Sequence, residues 1–463
     1  MTKSEIDLLS RRAFMRQGAC AALGATGLLS TIANLRMLNA ASSLQSDLAA
    51  PGDYRALVCV FLYGGNDANN LIVPTDATSY SAYASARQSL ALARAALLPI
   101  TPRTSDGRTY GLHPSMPEMQ ALFTSGKLAV VTNVGTLVAP VTRAQYLAGS
   151  VPLPDQLFSH NDQAVQWQTS LPDQNSQTGW GGRVADLMQS LNANERLTMS
   201  ISVAGSNQLQ VGRYVTQYQM TENGGLAFEG MSGRGNDIAR EAAFRGLLAS
   251  EKKNLFDFAY ADVANKTLET DAILQAALNA NNIPNTVTFP NSSLGRQLSL
   301  IARLIKAGPS LGFRRQIFFA ATGGFDTHND ELGAHASLLG NLSQSLNSFY
   351  QATTALGMAD SVTAFTASDF GRTMATNGDG SDHGWGNHQL VVGGAVRGGD
   401  LYGQFPQLIV NGPNDTNRGR WIPTTSVDEY SATLARWFGV GESDLSLILP
   451  NLRRFPQANV SFL

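Results

Sequence analysis

Short apolar runs of strand length alternate along this chain with longer stretches of helical periodicity, and that alternation leaves few folds open. The runs are Ala56–Leu62, Leu128–Val131, Met199–Val203, Ile317–Ala321, Val362–Phe365, Leu390–Val392 and Leu408–Val410. Each is too continuous for a half-solvated strand, so each reads as a strand buried on both faces. Helical patterns fill the gaps, at Met116–Thr124, Gly182–Asn192, Ile238–Leu278, Ser292–Lys306 and Ala334–Leu356. Strands alternating with helices predict an α/β fold of three layers, a mostly parallel sheet with helices on both faces. Residues 43–463 read as one such domain. The segment at about 230–290 carries no strand signal and reads as a helix-rich insertion. Near the end, Ser426-x-x-Glu429 forms a capping box, and Gly439 closes the helix it starts.

With 43% hydrophobic and 15% charged residues, the chain can bury a sizeable core. A net charge of −2 removes any electrostatic case for nucleic acid. Of its two cysteines, Cys59 stands in the first apolar run and Cys20 in the N-terminal segment, so the mature domain has no internal disulfide to form.

Residues 1–42 read as an export signal. Arg11-Arg12 precedes Phe14, and a weakly apolar stretch from Gly18 to Leu35 follows, diluted by Gly24, Gly27, Ser30 and Thr31. A basic start, a short apolar middle and small residues after it define a removable signal, and the arginine pair specifies the twin-arginine route. The alternative is an ordinary amphipathic helix. The apolar stretch is too short and interrupted to span a bilayer, which takes about 20 apolar residues. Gln17, three residues before Cys20, argues against a lipid anchor. The expected location is therefore periplasmic or secreted, with cleavage between Leu38 and Ser43 and no stable membrane insertion.

Three predicted strands run directly into polar, glycine-rich turns. These are Gly64-Gly65-Asn66-Asp67, Gly323-Gly324-Phe325-Asp326-Thr327-His328 and Ser368-Asp369-Phe370-Gly371-Arg372, followed by Asp382-His383-Gly384-Trp385-Gly386-Asn387-His388. Open α/β sheets bind ligands beyond the carboxyl ends of their strands. Carboxylates and imidazoles delivered to that rim are the donor set of a divalent cation. Taken singly, Asp67 or Asp369 suits a turn or cap, and His388 suits a structural role; together they point to one site. Asp67, Asp326, His328, Asp369, Asp382, His383 and His388 are the candidate metal ligands. Ser159 reads as the N-cap of a helix over Ser159–Thr169, with His160 beside it. His113 and His335 read as structural or surface residues.

At these motifs the chain resembles the bacterial family known as domain of unknown function 1501. The likeness runs through the export signal, Val60–Pro74, His113-Pro114, Ser159-His160, Gly179-Trp180, the Phe325–His328 turn, and Ser368–Tyr402 with Asp382–His388 and Gly393-Gly394. That family resembles the alkaline phosphatase superfamily, which implies an alkaline phosphatase-like fold. It also implies one or two divalent metals (zinc, manganese or calcium) and a nucleophile at a helix N-terminus. By that resemblance Asp67, Asp326 and His328 match metal ligands. Asp369 falls where relatives carry Asp-His, His383 or His388 stands for the last histidine, and Ser159 takes the place of the nucleophile. Arg372 is either an anion holder or half of a structural ion pair. Asp326 and His328 are closer in sequence than the usual ligand pair, and Phe370 replaces a histidine. Ser115-Met116-Pro117 continues with Glu118 and Met119, which departs from the sulfatase signature. The implied function is an exported metal-dependent hydrolase of phosphate or sulfate esters, acting on a small-molecule or glycan ester. The alternative is a non-catalytic exported protein that keeps the fold for envelope binding.

Overall fold

The computed structural model describes residues 53–194, 197–225, 235–250, 254–456 and 459–463. Residues 1–42, the segment read as an export signal, lie outside the described residues. The central sheet contains β1 (Arg55–Leu62), β2 (Leu128–Gly135), β3 (Ser200–Ser202), β4 (Tyr218–Gln219), β5 (Arg315–Thr322), β6 (Val362–Ser368), β7 (Asn387–Gly393) and β8 (Asp400–Tyr402), in the order β8-β2-β7-β6-β1-β5-β3-β4. Thr425–Ser426 adds a further short pairing along β2. Of these strands, β7 runs antiparallel to both neighbours while the others pair in parallel, so the sheet is mixed but mostly parallel.

All but the first residue of β1 are buried. A strand hidden on both sides needs cover on both faces. The helices of eight or more residues are α1 (Ala77–Arg87), α2 (Pro117–Thr124), α3 (His160–Thr169), α4 (Trp180–Met188), α5 (Asn236–Ala249), α6 (Leu255–Ala280), α7 (Ser293–Ala307), α8 (Glu331–Ala355) and α9 (Val427–Phe438). Trp180 of α4 meets Phe365 of β6 with rings tilted and centroids 5.9 Å apart, and Tyr430 of α9 meets it edge to ring at 6.1 Å. The helices α7 and α8 pack on each other, α7 against β5 and α8 against β7. Ser426 caps α9 through the expected reciprocal bonds with Glu429, and Gly439 ends it in a left-handed conformation.

One expectation needs correction. Leu408–Val410 is a loop, not a strand: Leu408 and Val410 pack on a cluster of Val73, Tyr83, Leu97, Met374 and Trp421, while Ile409 is exposed. Burial of its alternate residues satisfied the hydrophobic signal without a pairing partner. The pattern over Ile238–Leu278 forms two helices, α5 and α6.

The register decides where the chemistry sits. Leu62 lies beside Thr322 on one side and Ser368 on the other. Three adjacent parallel strands therefore end level, and the turns after them leave from one rim.

Candidate metal centre

The turn after β1 needs glycine. Gly64 has φ +113°, and a Cβ there would lie 2.4 Å from the Asp326 backbone nitrogen. Absence of a side chain lets the first and second turns nest against each other. The Gly64 amide then donates to Asp369 Oδ2 at 3.0 Å, which ties in the third turn. After that turn, Arg372–Thr376 and Ser381–His383 form a hairpin in which Arg372 and His383 face each other. His160 arrives from elsewhere, as the first residue of α3.

These elements bring His160, Asp326, His328 and His383 together. His383 Nε2 lies 3.0 Å from His160 Nε2 and 3.1 Å from His328 Nε2. Asp326 Oδ1 lies 3.4 Å from the Nε2 of both His160 and His383 and 3.0 Å from that of His328. A tetrahedral ion with ligand bonds of about 2.0–2.1 Å has ligand-to-ligand edges of roughly 3.3 Å. The spacing of His160, Asp326 and His383 fits one face of such a figure, and His328 touches two of its corners.

The far side of each ring supports the same orientation. His160 Nδ1 is 2.7 Å from Asp369 Oδ2, and His383 Nδ1 is 2.8 Å from the Phe158 carbonyl oxygen. Those acceptors favour the proton on Nδ1 and leave an Nε2 lone pair turned inward, the arrangement metal-binding histidines use. Nε2 atoms facing each other at this range with no proton between them repel unless a cation lies among them. Phe158 holds its carbonyl in place from a left-handed backbone, φ 72°, an uncommon state for a bulky residue. Its amide donates to the buried Gln163 side chain at 2.8 Å. Phe370 walls the site, its ring 4.6 Å from that of His160 and 4.8 Å from that of His383.

Electrostatics follow the contacts. The hydrogen bond to Asp369 raises the His160 pKa, whereas burial lowers that of His383. Burial pushes the Asp326 carboxyl upward, but Arg372, His160 and His328 outweigh it and the net shift is downward. Arg372, whose side chain is fully buried, donates to Asp326 Oδ1 at 2.7 Å and bonds the Ser381 carbonyl. It is thus an ion-pair partner here.

The remaining candidates fall elsewhere. Asp369 backs His160 and does not face the other rings. Asp382 Oδ1 sits 3.5 Å from His328 Nδ1, and its Oδ2 is held by Arg418 at 2.6 Å. Asp67 is not in the group: its Oδ1 caps Asn69, and its Oδ2 is 2.5 Å from Arg87 Nη2, a full positive charge already in the cation's place. His388 is not in it either; its Nδ1 accepts from the Asn133 amide and its ring packs 4.8 Å from Phe405. Ser159 occupies the N-cap position of α3, but its hydroxyl donates to Asp162 at 2.5 Å and does not accept from the helix backbone. His113 and His335 are both buried, so neither is a surface residue, and burial holds their pKa values down to about 4 and about 3.

His160 is the residue the turn-based reading missed, because it lies on no strand end. Its adjacency to Ser159 at a helix start was the available signal. A family profile described as "Protein of unknown function (DUF1501)" matches residues 54–416. The chain belongs to that family. All four converging residues of this DUF1501 protein lie inside the matched span. No curated protein matches it in sequence. Among solved structures it resembles Ps i-CgsB crystallised with k-i-k-neocarrahexaose, at 10% identity and TM-score 0.35, over 85% of this chain and 74% of that one. It also resembles the lipoteichoic acid synthase LtaP from Listeria monocytogenes, at 8% identity and TM-score 0.35, over 85% and 76%. A third is the PsFucS1 sulfatase from Pseudoalteromonas sp., at 10% identity and TM-score 0.34, over 88% and 72%.

Proposed function

We propose that this DUF1501 protein is an exported, metal-dependent hydrolase of phosphate or sulfate esters, with His160, Asp326, His328 and His383 holding the ion. One observation carries the reading: His383 Nε2 and Asp326 Oδ1, 3.4 Å apart, each lie 3.0 to 3.4 Å from the Nε2 atoms of both His160 and His328. Asp369 and the Phe158 carbonyl hold the outer Nδ1 atoms of His160 and His383. The donor set, mixed nitrogen and oxygen, suits zinc or manganese better than calcium. A bound divalent ion polarises an ester oxygen and generates a nucleophile from water at neutral pH. Asp326, with one oxygen on the cluster and a side chain 45% exposed, keeps the centre open to substrate. Ser159, next to His160, is the protein nucleophile that fits the helix start, and Asp162, bonded to its hydroxyl, is the group that would take its proton. Export by the twin-arginine route belongs to the same proposal.

The test is metal content and turnover of the purified mature chain. Zinc or manganese should bind, and nitrophenyl phosphate or nitrophenyl sulfate should be hydrolysed; Asp326→Asn and His383→Ala should lose both metal and turnover. Hydrolysis undiminished in both variants would refute the site. A second reading, a non-catalytic exported protein with a structural ion, draws on the Arg372–Asp326 pair, which already neutralises the carboxylate. Stoichiometric metal without turnover of either ester would favour it.

A further inference from the structure

Arg420 differs from the other arginines around the centre. Arg372 is paired with Asp326 and Arg418 with Asp382. Among the described residues Arg420 hydrogen-bonds through Nε alone, which donates to the His383 carbonyl oxygen at 2.8 Å. Its guanidinium lies over the Phe158 ring, 4.6 Å from the centroid. Among the described residues it has no carboxylate partner, so both Nη groups are unspent.

Both anchors of Arg420 belong to the centre. Phe158 supplies the carbonyl that orients His383 and directly precedes Ser159 and His160. A planar guanidinium held over an aromatic ring and pinned at Nε is pre-organised, and its two remaining Nη groups suit a tetrahedral oxyanion. Charge balance points the same way. The carboxylates contacting the metal-binding side chains or belonging to them are Asp326, Asp369 and Asp382, and Arg372, Arg418 and Arg420 cancel them. A divalent cation then leaves two positive charges in excess, which a dianion neutralises and a monoanion does not.

We propose that Arg420 is the anion-recognition residue of this centre and that the site prefers a dianionic phosphate monoester to a monoanionic sulfate ester. The inference rests on the metal-centre reading above and narrows its substrate class.

Two stable, similarly shaped probes separate the charges: phenylphosphonate, a dianion at pH 8.5, and benzenesulfonate, a monoanion. With the zinc-loaded mature chain, calorimetry should show phenylphosphonate binding at least about tenfold more tightly. Arg420→Gln should retain zinc, bind phenylphosphonate about tenfold or more weakly, and lose most of the preference. Arg420→Lys, which keeps the charge without the fork, should fall between and serves as the comparison if the glutamine variant folds poorly. Equal affinity for the two probes, or undiminished phenylphosphonate binding in zinc-loaded Arg420→Gln and Arg420→Lys, overturns this assignment and leaves the metal centre standing. A wild-type chain that binds no zinc or manganese removes both.

Discussion

Asp369 Oδ2 lies 2.7 Å from His160 Nδ1 and accepts the Gly64 amide as well, so one buried carboxylate fixes an imidazole from α3 against the turn after β1. Its other oxygen, Oδ1, is buried without a partner among the described residues. A carboxylate placed behind a metal-binding histidine sets the tautomer and the ring angle, and its loss costs about 10- to 100-fold in metal affinity. Asp369→Asn should therefore bind zinc about 10- to 100-fold more weakly while the fold persists. Competition with a chromogenic chelator measures the affinity, and far-ultraviolet circular dichroism checks the fold. Unchanged affinity would separate Asp369 from the centre.

Gly64 allows the turns to nest, and alanine there has two costs. A positive φ of 113° is strained for any residue with a Cβ, and that Cβ would meet backbone, which cannot swing aside. Gly64→Ala should lower stability by about 2 kcal/mol or more and shift Asp326 and Asp369 together. Urea unfolding reads the first effect. The second appears as a loss of zinc affinity larger than that of a comparably destabilised variant in α7.

How much of this was legible beforehand differs by element. Strands buried on both faces announce themselves by continuous apolar sequence, so β1, β5 and β6 and the rim they share could be read directly. Histidines and aspartates in the following turns marked the neighbourhood. What a linear pattern does not carry is the partner each side chain finds. Asp67 and Asp326 look alike at strand ends, but Arg87, at the last position of α1, reaches Asp67 and removes it from the centre. His383 and His388 stand five residues apart, and only the fold shows that the hairpin leads the first to the cluster while β7 carries the second to Asn133. His160 depends on how α3 is placed, and its position after Ser159 at a helix start marks it without showing where that helix lies.

Arg87 is the basis of a second test that distinguishes structure from site. Its Nη2 lies 2.5 Å from Asp67 and 2.9 Å from Glu331, and all three side chains are fully buried. Burial and the nearby Asp67 charge raise the Glu331 pKa, so this carboxyl pair depends on the one guanidinium. Replacing one partner of a buried pair strands the others and costs about 3–5 kcal/mol. Arg87→Met should lose about that much in urea unfolding, yet the folded protein should still take up zinc in wild-type stoichiometry. Lost zinc at full stability would return Asp67 to the ligand set.

Asp428 offers a pH test far from these contacts. It lies in the first turn of α9, buried, with Oδ1 lacking a partner among the described residues. Burial pushes its carboxyl up to about 7 from 3.8, with the Ser170 side chain and Arg183 offsetting only part. Between those values the native chain keeps a proton that the unfolded chain has released. By linkage, this residue's contribution makes stability fall as pH rises through that window. Asparagine has nearly the same shape and no charge to lose. Asp428→Asn should match wild type near pH 4 and exceed it at pH 8 by on the order of a few kcal/mol. Urea midpoints at the two pH values decide it. A variant equally destabilised at both would mean that Asp428 is charged and paired in the native protein.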